Sequence, residues 1–436
     1  METAIEAVAI KKAFRRLVGF LALMMFCAVM DRVNVGFAAL GMNKDLGLSS
    51  AAFGLGAGLF SLGYMLFEIP SNMLLMKVGA RRWLSRIMVT WAILSMATCL
   101  ATGPASFYAL RFALGAAEAG FLPGVMVYLG FWFPNAHRGR TNSVFLLAMP
   151  LGQSISAVLS GLILNMDGYL GFAGWQWLFV LEGAPSLIIG LIAWFYLTDT
   201  PADAKWLLPE ERDALTTMVA REKAQFGKLD GVGFFQVFRN PTVLSLGVIS
   251  IAISIVLTGV PLWLPQIVRT LGLPNGTTGI VVALPPLLGA IIMVLWGRSS
   301  DRHKERLWHI LAAMGLCALG WLLAAYYAYF GHGSAGLLVG GMILANGGVL
   351  AANALFWTLP AQALSGRAAA TGIALISAIG NIGSTAGPLL VGHLRDITGG
   401  FAMPFVFMTT VAILAGLLLP LISAAKRRST LKATAS

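Results

Sequence analysis

The chain has 436 residues, of which 58% are hydrophobic and 11% charged, and its mean hydropathy is +0.81. A soluble domain carries roughly 25% charged residues, so this composition excludes a fold that faces water on all sides. The net charge of +12 is explained below by where the basic residues lie, and nucleic acid is not needed as a partner.

The apolar residues fall into blocks at 17–30, 51–67, 87–102, 112–133, 144–166, 175–198, 242–268, 279–297, 307–330, 335–364, 368–392 and 401–425. Blocks of about 18 or more apolar residues suit a hydrocarbon core about 30 Å thick. Backbone groups in lipid must be satisfied within the segment, and barrel strands would be only about ten residues long. The expected fold is therefore an all-α polytopic membrane protein with twelve transmembrane helices. The first block follows Lys11, Lys12, Arg15 and Arg16 and lacks a small-x-small cleavage site, which reads as a retained helix. The remaining basic residues gather on alternate connections. They lie at Lys77, Arg81, Arg82 and Arg86, at Arg138 and Arg140, across 205–239, at Arg298–Arg306, at Arg367 and at Lys426–Lys432. The opposite connections hold only Lys44, Arg269 and Arg395. The positive-inside rule puts the basic side, and with it both termini, in the cytoplasm. Cys27, Cys99 and Cys317 fall in apolar blocks and read as core residues.

The one long polar stretch between the tails divides the chain into 1–198, a cytoplasmic linker at 199–240, and 241–436. Pro209-Glu210-Glu211 opens a mixed-charge run to Phe226 that reads as an amphipathic surface helix, with its acids in the first turn. An offset of about 225 residues lays the first block on the seventh, as two equivalent six-helix bundles require.

Four ionisable residues interrupt the blocks of the first half: Asp31, Arg32, Arg111 and Glu118. Each costs roughly 2.5–3.5 kcal/mol on insertion scales, so such residues mark a pathway. By helical rise Asp31 lies about 21 Å and Glu118 about 18 Å into the membrane. Arg111 and Glu118 are seven apart, on one face. One reading makes the four two structural salt bridges. The other makes them a switch, in which protonating Asp31 and Glu118 frees two arginines for an organic carboxylate that the planar guanidinium fork suits.

Gly297-Arg298-Ser299-Ser300-Asp301-Arg302 and Arg111-Phe112-Ala113-Leu114-Gly115 resemble signatures of the major facilitator superfamily. Asp31-Arg32-Val33-Asn34, Phe67-Glu68-Ile69-Pro70-Ser71-Asn72, Gly79-Ala80-Arg81-Arg82 and Glu118-Ala119-Gly120-Phe121 resemble its anion:cation symporter family, in the tartrate, hydroxyphenylacetate and phthalate permease branch. The resemblance implies that Asp31 and Glu118 carry protons while Arg32 and Arg111 bind the anion. It places Tyr64 at the substrate site, where an interhelical hydrogen bond is the other reading, and Arg81, Arg82, Asp301 and Arg302 at a cytoplasmic gate. Met76 stands where the superfamily signature has Asp, so the gating contact of that position is left to Asp301.

Glu68 reads as a gate or loop contact. Gln153, Asn346, Asn353, Thr358 and Asn381 offer hydrogen bonds to substrate hydroxyls or, equally, between helices. Trp263 and Trp357 offer a wall for an aromatic acid or plain packing. Pro123, Pro150, Pro261, Pro265, Pro285, Pro286, Pro360 and Pro388 are expected to kink helices. The expected function is proton-coupled uptake of a small organic carboxylate by alternating access. The carboxylate is expected to be a tartrate-like hydroxy acid or an aromatic acid, and proton-coupled efflux of a metabolite or drug is the alternative. His137, His303, His309, His332 and His393 show no metal spacing, so neither an enzyme nor a metal site is expected. No cofactor beyond the coupling proton is expected either. The expected working unit is a monomer in a bacterial cytoplasmic (inner) membrane.

Overall fold

The computed structural model describes residues 4–226, 241–331, 334–363 and 366–434, and the described elements are all helical. In the first half, α1 is Ala4–Asp45, α2 Ser50–Val78, α3 Ala80–Leu100, α4 Pro104–Trp132, α5 Asn135–Met166 and α6 Gly174–Tyr196. The linker carries α7, Pro209–Phe226, and its remaining residues 227–240 lie outside the described set. The second half holds α8 (Val243–Arg269), α9 (Asn275–His303), α10 (Leu307–Phe330), α11 (Ala335–Pro360), α12 (Gly366–Thr398) and α13 (Ala402–Thr434). Among the described residues eleven helices are long and apolar enough to cross a membrane, and α13 adds a shorter apolar stretch, Ala402–Leu418.

Successive helices run in alternate directions between two ends. One end holds the α2–α3 turn, the α9–α10 turn and α7, and is called here the linker end. The other, the far end, holds residues 46–49, 167–173, 270–274 and 399–401. At the linker end α7 folds back on α1. Lys12 Nζ lies 2.5 Å from Glu211 Oε1, and the N–H of Leu208 donates to Glu211 Oε2 at 3.1 Å. The bond from Lys12 is the main reason the Glu211 carboxyl titrates below its ordinary value. A depressed folded value means that docking is strengthened above the unfolded value and that this contribution is lost as pH falls through the folded one. Linker proteolysis is therefore expected to accelerate in acid for the wild type and to lose that acid dependence in Glu211→Gln.

The halves meet along two seams, α2 on α12 and α5 on α9. Small residues allow the contact. A Cβ on Gly161 would sit 2.6 Å from the Asn275 carbonyl, and one on Gly279 would sit 2.5 Å from that of Ala157. Near mid-helix the Ser61 hydroxyl of α2 donates to the Ser384 carbonyl of α12 at 3.4 Å, and the other polar links across the seams lie toward the far end. Asp396 of α12 accepts from the N–H groups of Ser50 (3.0 Å) and Ala51 (2.7 Å), the first residues of α2. Asn275 donates to Asn165 at 3.3 Å, and Trp263 packs edge-on against Phe53. Among the described residues, then, the hydrogen bonds between the halves run from mid-helix to the far end, which they close.

The Asp396 carboxylate acts as an N-cap supplied by the opposite half, where helix dipole and charge add. Losing such a cap costs about 1–2 kcal/mol. Asp396→Ala is expected to raise the population open at the far end by about 5–30-fold. Spin labels on Gly47 and Gly400 would report it as a longer distance component, and an unchanged distribution would remove Asp396 from the seam.

Candidate functional site

Between the halves lies a cavity of about 420 Å³, within the range of small-molecule sites. It is built from the residues the sequence singled out: Arg32, Tyr64, Glu68, Arg111 and Gln153 from the first half and Asn381 from the second. Thr258, Ser377 and Ser384 add hydroxyls on the second-half wall. The charge is therefore all on the first half.

The position of Glu118 follows from a break in α4. Ala119 leaves helical geometry and Gly120 takes φ +84°, a left-handed conformation that suits glycine. Pro123 has no N–H for the carbonyl of Ala119, and its ring would clash there in a continuous helix. A Cβ on Gly120 would also meet Ser71 Oγ at 2.5 Å. The helix thus stops on Glu118, whose Oε1 accepts from Arg32 Nε at 2.8 Å and lies 2.7 Å from Nη2. Glu118 is buried, while the Arg32 side chain keeps 40% exposure toward the cavity.

Arg111 lies two turns earlier and is only 4% exposed. Its guanidinium carbon stands 4.7 Å from the centre of the Phe60 ring, on which Arg32 also rests at 5.6 Å. Among the described residues no carboxylate pairs with Arg111, and its Nε has no hydrogen-bond partner. Glu118, the carboxylate that acts on it through space, is already bonded to Arg32, and a buried cation in a cavity wall with no carboxylate bonded to it attracts an anion.

Asp31 corrects one expectation. It does not join an arginine and does not line the cavity. It is buried between α1, α3 and α6, accepting from Trp91 Nε1 (3.0 Å), Ser95 Oγ (2.7 Å) and Ser186 Oγ (2.6 Å). Neighbouring helix positions point about 100° apart, so Arg32 faces the cavity and Asp31 faces the bundle. Trp357 and Thr358 also lie off the cavity. Trp357 lies in the last turn of α11 edge-on to Phe356, and the Thr358 hydroxyl donates to Leu355 O at 2.7 Å. Trp263 packs in the far-end seam.

Two of the gate residues have defined contacts, one with the first residue of the linker and one within the second half. The N–H of Arg81 donates to Asp199 Oδ1 at 2.8 Å, and Asp301 pairs with Arg306 at 2.5 Å. Arg82 and Arg302 stand at the same linker end. Sequence reasoning missed Glu182, a lone acid in the block at 175–198. It also missed the second-half hydroxyls, which nothing distinguishes from helix packing without knowing which way each helix faces.

The model of the Major Facilitator Superfamily matches residues 21–388. A protein of Agrobacterium vitis named "Putative tartrate transporter" is 42% identical over 417 residues, 96% of this chain and 95% of that one. A "Quinolone resistance transporter" of Acinetobacter baumannii is 39% identical over 417 residues, 94% of each. Among solved structures, the partially occluded inward open conformation of the E. coli xylose transporter XylE matches with a TM-score of 0.75 at 13% identity, covering 93% of this chain and 97% of that one. The chain belongs to the major facilitator superfamily, and it is a transporter and not an enzyme.

Proposed function

We propose that the protein is a proton-coupled symporter that takes up a small organic carboxylate, with a tartrate-like hydroxy acid as the preferred class. Arg111 carries this reading: a buried, unpaired guanidinium in the wall of a cavity large enough for such an acid. A carboxylate of the substrate makes paired hydrogen bonds to its fork. Arg32 becomes a second anchor when Glu118 takes up a proton and releases it. Gln153, Asn381 and the second-half hydroxyls suit the hydroxyl groups of the acid. The names of the tartrate-transporter relatives support the same class.

The basic linker end is the cytoplasmic one, α13 completes twelve spans, and both termini are cytoplasmic. The protein works as a monomer in the bacterial inner membrane. With its far end sealed, the molecule is then in an inward-facing state of an alternating-access cycle. Asp301, Arg302, Arg81 and Arg82 come together when the linker end closes.

Counterflow in proteoliposomes tests the substrate class. Labelled tartrate is expected to exchange with unlabelled hydroxy acids and to ignore neutral sugars. The quinolone-resistance relative favours a second reading, drug efflux. Counterflow of a quinolone with none of tartrate would establish that reading and refute the first.

A further inference from the structure

A buried acid outside the substrate cavity has no part in the reading above. Glu182 of α6 is 2% exposed. Its Oε1 accepts from the Ser160 hydroxyl of α5 at 2.7 Å, while Oε2 is buried without a hydrogen-bond donor. α6 packs against α1, α3 and α5. From α1 come Asp31 and Cys27, with Lys44 and Asp45 in its last turn at the far end, and from α3 comes Cys99 near the same end. α5 brings serine hydroxyls. The basic residues of α3 and α5 are Arg81, Arg82, Arg86, His137, Arg138 and Arg140, all in turns at the linker end. Arg32 is held by Glu118 on the cavity side. Among the described residues, then, no cation pairs with Glu182. An ionised carboxylate with a single donor in a dry interior is far costlier than the neutral acid.

Asp31 has the opposite surroundings, with three donors and no orphaned oxygen. Ser186, which donates to Asp31 Oδ2, follows Glu182 by one turn on the same face of α6. By helical rise Glu182 lies about 12 Å from the far end of its helix, and Asp31 about 21 Å from the far end of α1. The two acids thus step from the far face toward mid-membrane, behind the cavity wall.

We propose that Glu182 is a proton-binding relay carboxylate, separate from the substrate cavity, which exchanges a proton with Asp31 through the Ser186 hydroxyl. With the Glu182 carboxyl turned from Ser160 toward Ser186, one turn on, the proton leaves Oε2 for the serine oxygen as the serine gives its own to Asp31 Oδ2. Glu182 ends ionised, Asp31 neutral and Ser186 unchanged. The proton that reaches Asp31 then travels behind the cavity wall, apart from the anion. This inference rests on the proton-coupled reading.

The test uses the full chain in proteoliposomes with labelled tartrate. Counterflow at symmetric pH needs no net proton movement, whereas accumulation under an inward proton gradient does. Glu182→Gln is expected to keep counterflow within about threefold of wild type and to lower accumulation about tenfold or more. Glu182→Asp is expected to restore accumulation with a displaced pH profile. Accumulation by Glu182→Gln equal to wild type overturns the relay. So does loss of counterflow and accumulation by one common factor, the signature of a structural role. Should Glu182→Gln fail to reach the membrane, the pH profile of Glu182→Asp decides: a displaced profile supports the relay and an unchanged one overturns it. A wild type that exchanges tartrate but never accumulates it under the gradient refutes the proton-coupled reading instead.

Discussion

Arg111→Ala is expected to lower transport of the organic anion by about 100-fold, because hydrogen bonds to a charged group contribute about 1.5–3 kcal/mol each and 1.4 kcal/mol is a factor of ten. The side chain is buried, stacked over Phe60 and free of any carboxylate partner among the described residues. Glu118 keeps its bond to Arg32 when Arg111 goes, so the loss falls mainly on the anion. Arg111→Lys is expected to recover only part of the activity, since an ammonium is a point charge without the planar fork. Initial rates of labelled tartrate uptake, normalised to protein in the membrane, make the comparison. Uptake by Arg111→Ala within about twofold of wild type would sink the anchor assignment.

The second large effect is expected at Glu118. Glu118→Gln keeps an oxygen for the Arg32 fork but removes the charge and the site of protonation. Arg32 is 40% exposed toward the cavity, so losing the ion pair does not strand a charge in a dry interior. Anion exchange is therefore expected to persist, with an affinity that no longer varies with pH, while accumulation against a gradient is lost. Gradient-driven accumulation that survives in Glu118→Gln would show that the Arg32–Glu118 pair is structural, the other reading the sequence left open.

The two effects belong to different residues because α4 divides their work. Arg111 sits in a continuous helical turn, where its position is fixed by packing against α2. A Cβ on Gly115 would stand 2.0 Å from the Phe60 carbonyl, which measures how closely the two helices approach. Glu118 sits at the break, where the left-handed Gly120 frees the last turn from the following helix.

Much of this was legible in the chain. Long uncharged runs can satisfy their backbone in lipid only as helices, and the helices formed where the runs lay. Their ends were less legible. α1 starts at Ala4, well before the apolar run at 17, through a π-helical turn at Phe14–Val18. Lys and Arg end a hydropathy run but favour helix. Proline was an uneven guide. Pro123 and Pro261 mark breaks, whereas α5, α9 and α12 run through Pro150, through Pro285 and Pro286, and through Pro388.

At the site, six of the expected side chains converge on one cavity, and these are residues whose charge or polarity is out of place in lipid. What the sequence withheld was rotation about each helix axis. Asp31 and Arg32 are adjacent in the chain yet serve different spaces. Trp357 and Thr358 differ from Asn381 only in the direction they face. Glu182 was hidden by the apolar residues around it, although a single acid in such a run is the same signal that drew attention to Glu118.

The central claim is that a proton gradient moves an organic anion inward through this cavity. It is tested most directly by recording labelled tartrate and external pH together in proteoliposomes as an inward proton gradient is imposed. Tartrate that accumulates while the medium becomes more alkaline, with both signals abolished in Arg111→Ala, is the predicted result. Tartrate that only equilibrates, or that leaves the vesicles as protons enter, would contradict it.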